Sequence, residues 1–440
     1  MNTNEISIND EKKSRHYLKS SFEEKTFFFS RYDGSYARRI QLGASGVIEN
    51  IDGKGNPNES FWEFENNELV FLDSNRNLTS RYFCTKDKAN GLYLLGYYEP
   101  NKEIIFKLQE IIISGLRKFK ELKFYRNVVI FDNVLFLHQE NSAQRQFQTL
   151  MGEISVGKEN LVNFKKNIEH NKETAKRNNF DYKHIVFPAK PNIYKDQFKA
   201  IGVNLKALFT EDFMNSHVMY PQLTPEDYYL CDTHINDTGN FKVIKEVLKS
   251  FNYPDLPEPI FINDEKVGDL MQMMGKDDHE NILVIDGFEG LSCQTQEFSL
   301  SSSIVGNTGQ IKILFNPAAL YNRRLVLFGD SFVEHGLMIY SKLFCEVIYL
   351  RKPYIINDIV NILEPDIVLT SNTERYLCGV PNLYNDKPWF INYIDRDFDS
   401  SLLSEKDRSA FKAIFYGKQS NEYKNYFGSL LNDRQDSIIS

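Results

Sequence analysis

RLVLFGDSFVEHG, residues 324–336, decides how the chain is read. An apolar run, Leu325–Phe328, ends in Gly329-Asp330-Ser331-Phe332, and a segment of helical character follows. A strand apolar at every position is buried on both faces, as strands of parallel sheets are. A serine at a strand-to-helix turn stands at the carboxyl end of its sheet, where open α/β folds bind ligands. There its hydroxyl is accessible, and backbone N–H groups at the helix start can hold a developing oxyanion. The same tetrapeptide also reads as a plain helix start with Asp330 or Ser331 as its cap.

Outward from this turn, HIVFPA (184–189), ILVID (282–286), IKILF (311–315), CEVIYL (345–350) and PDIVLTSN (365–372) read as strands. Helical patterns at 159–179, 238–250, 333–344 and 358–363 alternate with them. That alternation predicts an α/β domain with a mostly parallel sheet covered on both faces. VVIFDNVLFL (128–137) reads as strands, and Ile104–Phe124 as a connecting helix. From Lys25 to Phe106 short aromatic and β-branched runs are broken by DG, GKGNPN, ENN and DSNRN, which predicts an antiparallel β-module. The expected organisation is a polar leader (1–24), the β-module (25–125), the α/β domain (126–380) and a helical extension packed on it (381–440).

Composition narrows the function. With 440 residues, 42% of them hydrophobic and 14% aromatic, the chain can bury large cores, which excludes wholesale disorder. A net charge of −8 argues against a phosphate-tracking nucleic-acid binder. Five cysteines lie far apart without a C-x-x-C pair, the pattern of reduced thiols rather than a disulfide scaffold or zinc ribbon. The polar start, MNTNEISINDEKKSRHYLKSSFEEK, has no apolar signal core, and no apolar run approaches the roughly 20 residues of a membrane span. The expectation is a cytoplasmic protein without stable membrane insertion, with peripheral association at the inner membrane left open.

A nucleophilic serine needs a base, and the base needs an acceptor that fixes its tautomer. YYLCDTHINDTGN (228–240) offers both in Asp232 and His234. The competing readings are a surface loop with a capping aspartate, or two ligands of a metal site. No further His, Cys or Glu cluster has ligand spacing, so no metal is expected.

In this order the pieces resemble the SGNH-hydrolase-like O-acetyltransferases of the alginate O-acetylation family, over about Phe131 to Leu377. FDNVLFLHQENSAQRQFQTLMG (131–152) resembles the opening strand and loop, and HIVFPAKPNIY (184–194) the strand followed by Pro-x-Lys and Tyr. YYLCDTHINDTGN is similar to the family's D-x-H segment, with Ile235 where an aromatic usually follows the histidine. VGDL (267–270), LVLFGDSF (325–332) and PDIVLTSNTERYL (365–377) complete the set. Asp and His precede Ser, the reverse of ordinary SGNH esterases and a mark of this family.

The resemblance implies a three-layer SGNH-like domain with Ser331 as nucleophile, His234 as general base and acid, and Asp232 orienting His234. It implies transfer of an acetyl group through a seryl acyl-enzyme to a hydroxyl of a bacterial surface polysaccharide or its precursor. No cofactor is expected to be bound; acetyl-CoA is the expected donor, and a surface-glycan synthesis complex the expected setting. Asn372 and Arg375 are candidates for the second oxyanion donor or for substrate binding, or else a loop pair and a structural salt bridge. Lys190 and Tyr194 read as groove-lining or structural. Glu334 and His335, one turn past Ser331, are expected to face solvent or neighbouring loops. A carbohydrate acetylesterase would use the same triad, and a non-catalytic glycan-binding scaffold would rely on the β-module. Aromatic residues there, Trp62 among them, read as sugar-stacking or as the module's own core.

Overall fold

The computed structural model describes residues 19–32, 36–51, 58–66, 68–88, 91–111, 114–125, 127–138, 145–291, 294–300, 310–352, 354–383 and 402–428. Two compact units emerge, the first from Met1–Gly115, Glu140–Gln148 and Glu153–Ser155. The second comprises Leu116–Gln139, Thr149–Gly152 and Val156–Ser440.

The first unit holds strands β1 (Lys25–Arg31), β2 (Ala37–Leu42), β3 (Ile48–Asn50), β4 (Phe61–Glu65), β5 (Glu68–Leu72), β6 (Leu78–Lys88), β7 (Gly91–Tyr98) and β8 (Asn101–Glu110). They form one antiparallel sheet in the order β3-β2-β1-β8-β7-β6-β5-β4. Its two edges meet: Val47 bridges Phe61, and Ile48 N–H donates to the Ser60 carbonyl at 2.9 Å. The sheet therefore closes on itself, removing its exposed edges. Phe27, Phe29, Ile40, Trp62, Phe71, Tyr82 and Leu108 pack together in its core. Trp62 is wholly buried and donates Nε1–H to the Gly43 carbonyl at 2.9 Å, so it belongs to the core and not to a sugar-stacking surface.

The second unit continues with β9 (Lys123–Tyr125), β10 (Val128–Phe131), β11 (Val134–Leu137), β12 (Asp181–Phe187), β13 (Val218–Met219), β14 (Pro259–Lys266), β15 (Glu280–Phe288), β16 (Gln296–Ser299), β17 (Ile311–Phe315), β18 (Tyr321–Phe328), β19 (Phe344–Leu350) and β20 (Ile367–Thr373). Its main sheet is mixed, in the order β13-β12-β20-β18-β19-β17-β16. The five strands from β13 to β19 run parallel, β17 is antiparallel to β19, and β16 is antiparallel to β17. Side chains of β18 alternate between two cores: Leu325 and Leu327 join one, Val326 and Phe328 the other. Helix Asp237–Ser250 covers the first face; helices Asn357–Leu363 and Glu405–Tyr416 cover the second. A strand with both faces buried is apolar at every position, the pattern read in 325–328.

Four expectations change. Ile104–Phe124 is not a helix: β8 runs to Glu110, a 3-10 turn spans Gly115–Lys118, and β9 follows. Phe106 and Leu108 are buried while the alternating Lys107 and Gln109 are not, a period of two. ILVID lies in β15, which pairs with β14 in a separate ribbon, and IKILF is an antiparallel strand. Residues 128–137 are strands as read, β10 and β11, and pair with β9 in a sheet of their own. Phe22, placed in the leader, is buried in the first unit's core. Residues 1–18, 384–401 and 429–440 lie outside the described residues. Helical turns at 421–428 follow Glu405–Tyr416, and Cys231, Cys345 and Cys378 are free thiols. Among the described residues no helix is long and apolar enough to cross a membrane.

Candidate active site

Three adjacent parallel strands end at one place. β12 leads to Lys190, β18 to Ser331 and β20 to Arg375, so the side chains gather at the carboxyl edge. The turn after β18 is tight: a Cβ on Gly329 would stand 2.2 Å from Ser371 Oγ. Asp330 caps helix Ser331–His335, its Oδ1 accepting from Phe332 N–H at 3.1 Å. Its Oδ2 accepts from Thr373 N–H and Oγ1–H at 2.8 and 2.7 Å, tying the turn to the end of β20.

Ser331 Oγ lies 2.7 Å from His234 Nε2, and His234 Nδ1 lies 2.6 Å from Asp232 Oδ1. Asp232 and His234 are buried. Asp232 Oδ1 also accepts from His234 N–H at 3.0 Å, and Oδ2 from Asp269 N–H at 3.2 Å. Burial pushes the Asp232 carboxyl up, but His234, Lys266 and His335 together hold it well below the usual range. The nearby Asp269 carboxyl is pushed up by burial and by the Asp232 charge. With Asp232 ionised on Nδ1–H, Nε2 is left free to accept the serine proton.

Asp232, His234 and Asp269 place three possible ligand atoms within 4.8 Å of one another. Two ligands sharing one tetrahedral zinc stand about 3.4 Å apart, from metal–ligand bonds of about 2.1 Å. The 2.6 Å between His234 Nδ1 and Asp232 Oδ1 is instead a hydrogen bond. Lys266 Nζ, 3.4 Å from Asp232 Oδ2, already supplies a cation there.

Other residues singled out in the sequence are spent on the protein itself. Lys190 is buried and donates Nζ–H to the carbonyls of Leu135, Leu230 and Asp232 at 2.7, 3.0 and 2.9 Å. It pins the Asp232 loop rather than lining a groove. Burial pulls its pKa down to about 7 against the charges of Glu280, Asp232 and Asp269. Tyr194 packs edge-on to Phe136, its hydroxyl 3.4 Å from the Pro225 carbonyl, and burial pushes it up to about 12. Asn372 Oδ1 accepts from His184 Nε2 at 2.8 Å and its amide donates to the Thr373 carbonyl at 2.9 Å. That amide is engaged within the sheet interior.

Arg375 differs. It is buried, its guanidinium lies 5.6 Å from the Phe332 ring centre, and among the described residues its Nε has no hydrogen-bond partner. The structural salt bridge that was the alternative reading is absent among the described residues.

Sequence reasoning passed over Glu374 and expected Glu334 and His335 to face solvent or neighbouring loops. Glu374 is wholly buried and accepts from the N–H groups of Ala189, Leu208 and Phe209, from Asn192 Nδ2 and from Tyr220 Oη. Its signal was a carboxylate directly after a strand that opens apolar and ends in Thr370-Ser371-Asn372-Thr373. Glu334 pairs with Lys312 and Arg351. His335, expected to face solvent or loops, stacks on His234 with ring centres 4.0 Å apart and planes at 16°. Its signal was the i, i+4 spacing from Ser331.

No protein-family model matches the chain, and no curated protein matches its sequence. Among solved structures it is similar to a DHHW family protein from Eubacterium siraeum, at TM-score 0.43 and 13% identity over 61% of this chain and 98% of that one. It is similar to PatB1 of Bacillus cereus, at TM-score 0.41 and 11% identity over 57% and 97%. It is also similar to the O-acetyltransferase domain of Pseudomonas putida AlgJ, at TM-score 0.31 and 13% identity over 62% and 98%.

Proposed function

We propose that the second unit is an SGNH-type serine O-acyltransferase that acetylates a hydroxyl of a bacterial surface polysaccharide or its precursor. The observation that carries the reading is the unbroken chain Asp232–His234–Ser331, at 2.6 and 2.7 Å, on the carboxyl edge of the sheet. In the first half-reaction Ser331 Oγ bonds to the acyl carbonyl carbon while its proton passes to His234 Nε2. Collapse of the tetrahedral intermediate expels the donor's leaving group, a thiolate if the donor is acetyl-CoA, and His234 returns the proton to it. A sugar hydroxyl then gives its proton to His234 and attacks the acyl-enzyme, and Ser331 leaves with that proton. The Ser331 N–H at the helix start is the proposed oxyanion donor. Asp232 holds the imidazole tautomer and offsets the charge it gains.

The test supplies an activated acetyl ester with and without an oligosaccharide of the proposed class. Transfer predicts faster loss of acetyl when the sugar is present, with label appearing on the sugar. Release of free acetate at an unchanged rate assigns hydrolysis instead. Ser331→Ala should lower either activity by at least about 10³-fold. An Ala variant as active as the parent overturns the triad.

A further inference from the structure

We infer that His335 is a positioning residue for His234, stacking on the imidazole and holding it against Ser331 while it carries the proton. The inference rests on the triad reading above. Ser331 and His335 are the first and last residues of one helix, and their i, i+4 spacing puts both on one face. A single short helix thus supplies the nucleophile and a flat ring for its base. The rings of His234 and His335 are nearly parallel, 4.0 Å apart, while Phe332 touches the same imidazole at 4.9 Å and 54°. Tyr228 and Ile235 form a backbone bridge across the Asp232–His234 turn, so the loop enters that contact from a fixed backbone.

Charge fits the same role. The groups acting on His335 are His234 and Asp232 from the loop, Lys266 from β14 and Lys312 from β17. Glu334, beside it on its own helix, is tied to Lys312 and Arg351. Burial and the His234 charge hold His335 well below the ordinary histidine range, so the ring stays neutral at neutral pH. When His234 takes the serine proton it becomes a cation against a neutral π-face, which attracts it; two charged rings at that distance would repel. No described residue hydrogen-bonds the His335 ring nitrogens, so what the side chain offers the site is its face.

The test reads Ser331 directly and needs no natural substrate. Phenylmethanesulfonyl fluoride forms an Oγ–S bond and loses fluoride while His234 takes the serine proton. Its second-order rate constant is followed from pH 5 to 9 in the full chain. His335→Phe keeps the face and should react within twofold of the parent with an unchanged pH midpoint. His335→Ala removes the face and should slow the reaction about 3- to 10-fold, the range that ring-pair energies convert to. His335→Lys sets a fixed cation against His234 and should lower the midpoint by about one unit or more. If His335→Ala does not fold, His335→Leu, of similar bulk without a π-face, replaces it. An Ala or Leu variant matching the parent in rate and midpoint overturns the inference, as does a Phe variant as slow as Ala. A parent protein that does not react at Ser331 sinks the triad reading instead.

Discussion

Asp232 uses each carboxylate oxygen differently. Oδ1 faces His234 Nδ1–H, whereas Oδ2 accepts from Asp269 N–H and faces Lys266. Asp232→Asn keeps the shape but removes the charge that fixes the tautomer and balances the imidazolium. The proposed acyl transfer should fall by about 10³- to 10⁴-fold. A loss below tenfold would show that Asp232 does not orient the base. Arg375 is the opposite case, a buried cation without an ionic partner among the described residues. Removing an uncompensated buried charge does not destabilise a protein, whereas breaking a buried pair costs about 3–5 kcal/mol. Arg375→Met should therefore melt at or above the parent temperature while raising the acceptor KM about tenfold or more. A large drop in melting temperature would mark Arg375 as structural.

At the scale of elements, Ser331 and His234 lie on segments far apart in sequence, and glycines set how closely those segments approach. A Cβ on Gly268 would stand 2.0 Å from the Cys231 carbonyl oxygen, in backbone that cannot yield as a flexible side chain can. Gly268→Ala must therefore push the loop carrying Asp232 and His234 away from Asp269. Ser331 sulfonylation should drop by about 10²-fold or more, since displacement near 1 Å costs that much in an aligned site. Parent reactivity in this variant would show that the loop moves freely. Much of this arrangement was legible: the apolar run into Gly329-Asp330-Ser331 and the D-x-H pair both announce themselves locally. Sheet membership was not. ILVID has the pattern of a core strand yet lies in a ribbon whose partner, β14, leaves Ile260, Phe261 and Ile262 exposed. Local periodicity reports which faces of a strand are apolar, not which strand pairs with it. Lys190 was left open between groove and scaffold for a related reason, because its three carbonyl acceptors come from two segments remote from it in sequence, at Leu135 and at Leu230 and Asp232.

At the scale of the molecule, the two units have separate cores, and acid acts with opposite sign on one buried group in each, His184 and Glu59. In the second unit His184 is wholly buried within a directed chain of hydrogen bonds. Asn171 Nδ2 donates to Tyr182 Oη, Tyr182 to Thr370 Oγ1, Thr370 to His184 Nδ1, and His184 Nε2–H to Asn372 Oδ1. The chain requires a neutral imidazole, and burial lowers its pKa to about 3 despite the Asn372 contact. Its folded pKa lies below the unfolded value near 6.5, so the unfolded chain binds more protons between those limits. The stability this provides is complete above about pH 6.5 and is lost as pH falls toward 3. In the first unit Glu59 is pushed up by burial against the opposing pull of Arg38, so mild acid relieves a cost there. From pH 7 to pH 5 the second unit should lose about 2 kcal/mol through His184, at 1.36 kcal/mol per pH unit. Asp232 titrates lower and adds its loss below that window. Amide exchange separates the two: protection in β12 and β20 should weaken from pH 7 to 5 after correction for intrinsic rates, while β1 and β7 hold theirs. His184→Asn, which stays neutral throughout, should flatten the response of β12 and β20. An unchanged response in that variant would move the acid sensitivity of the second unit to another group.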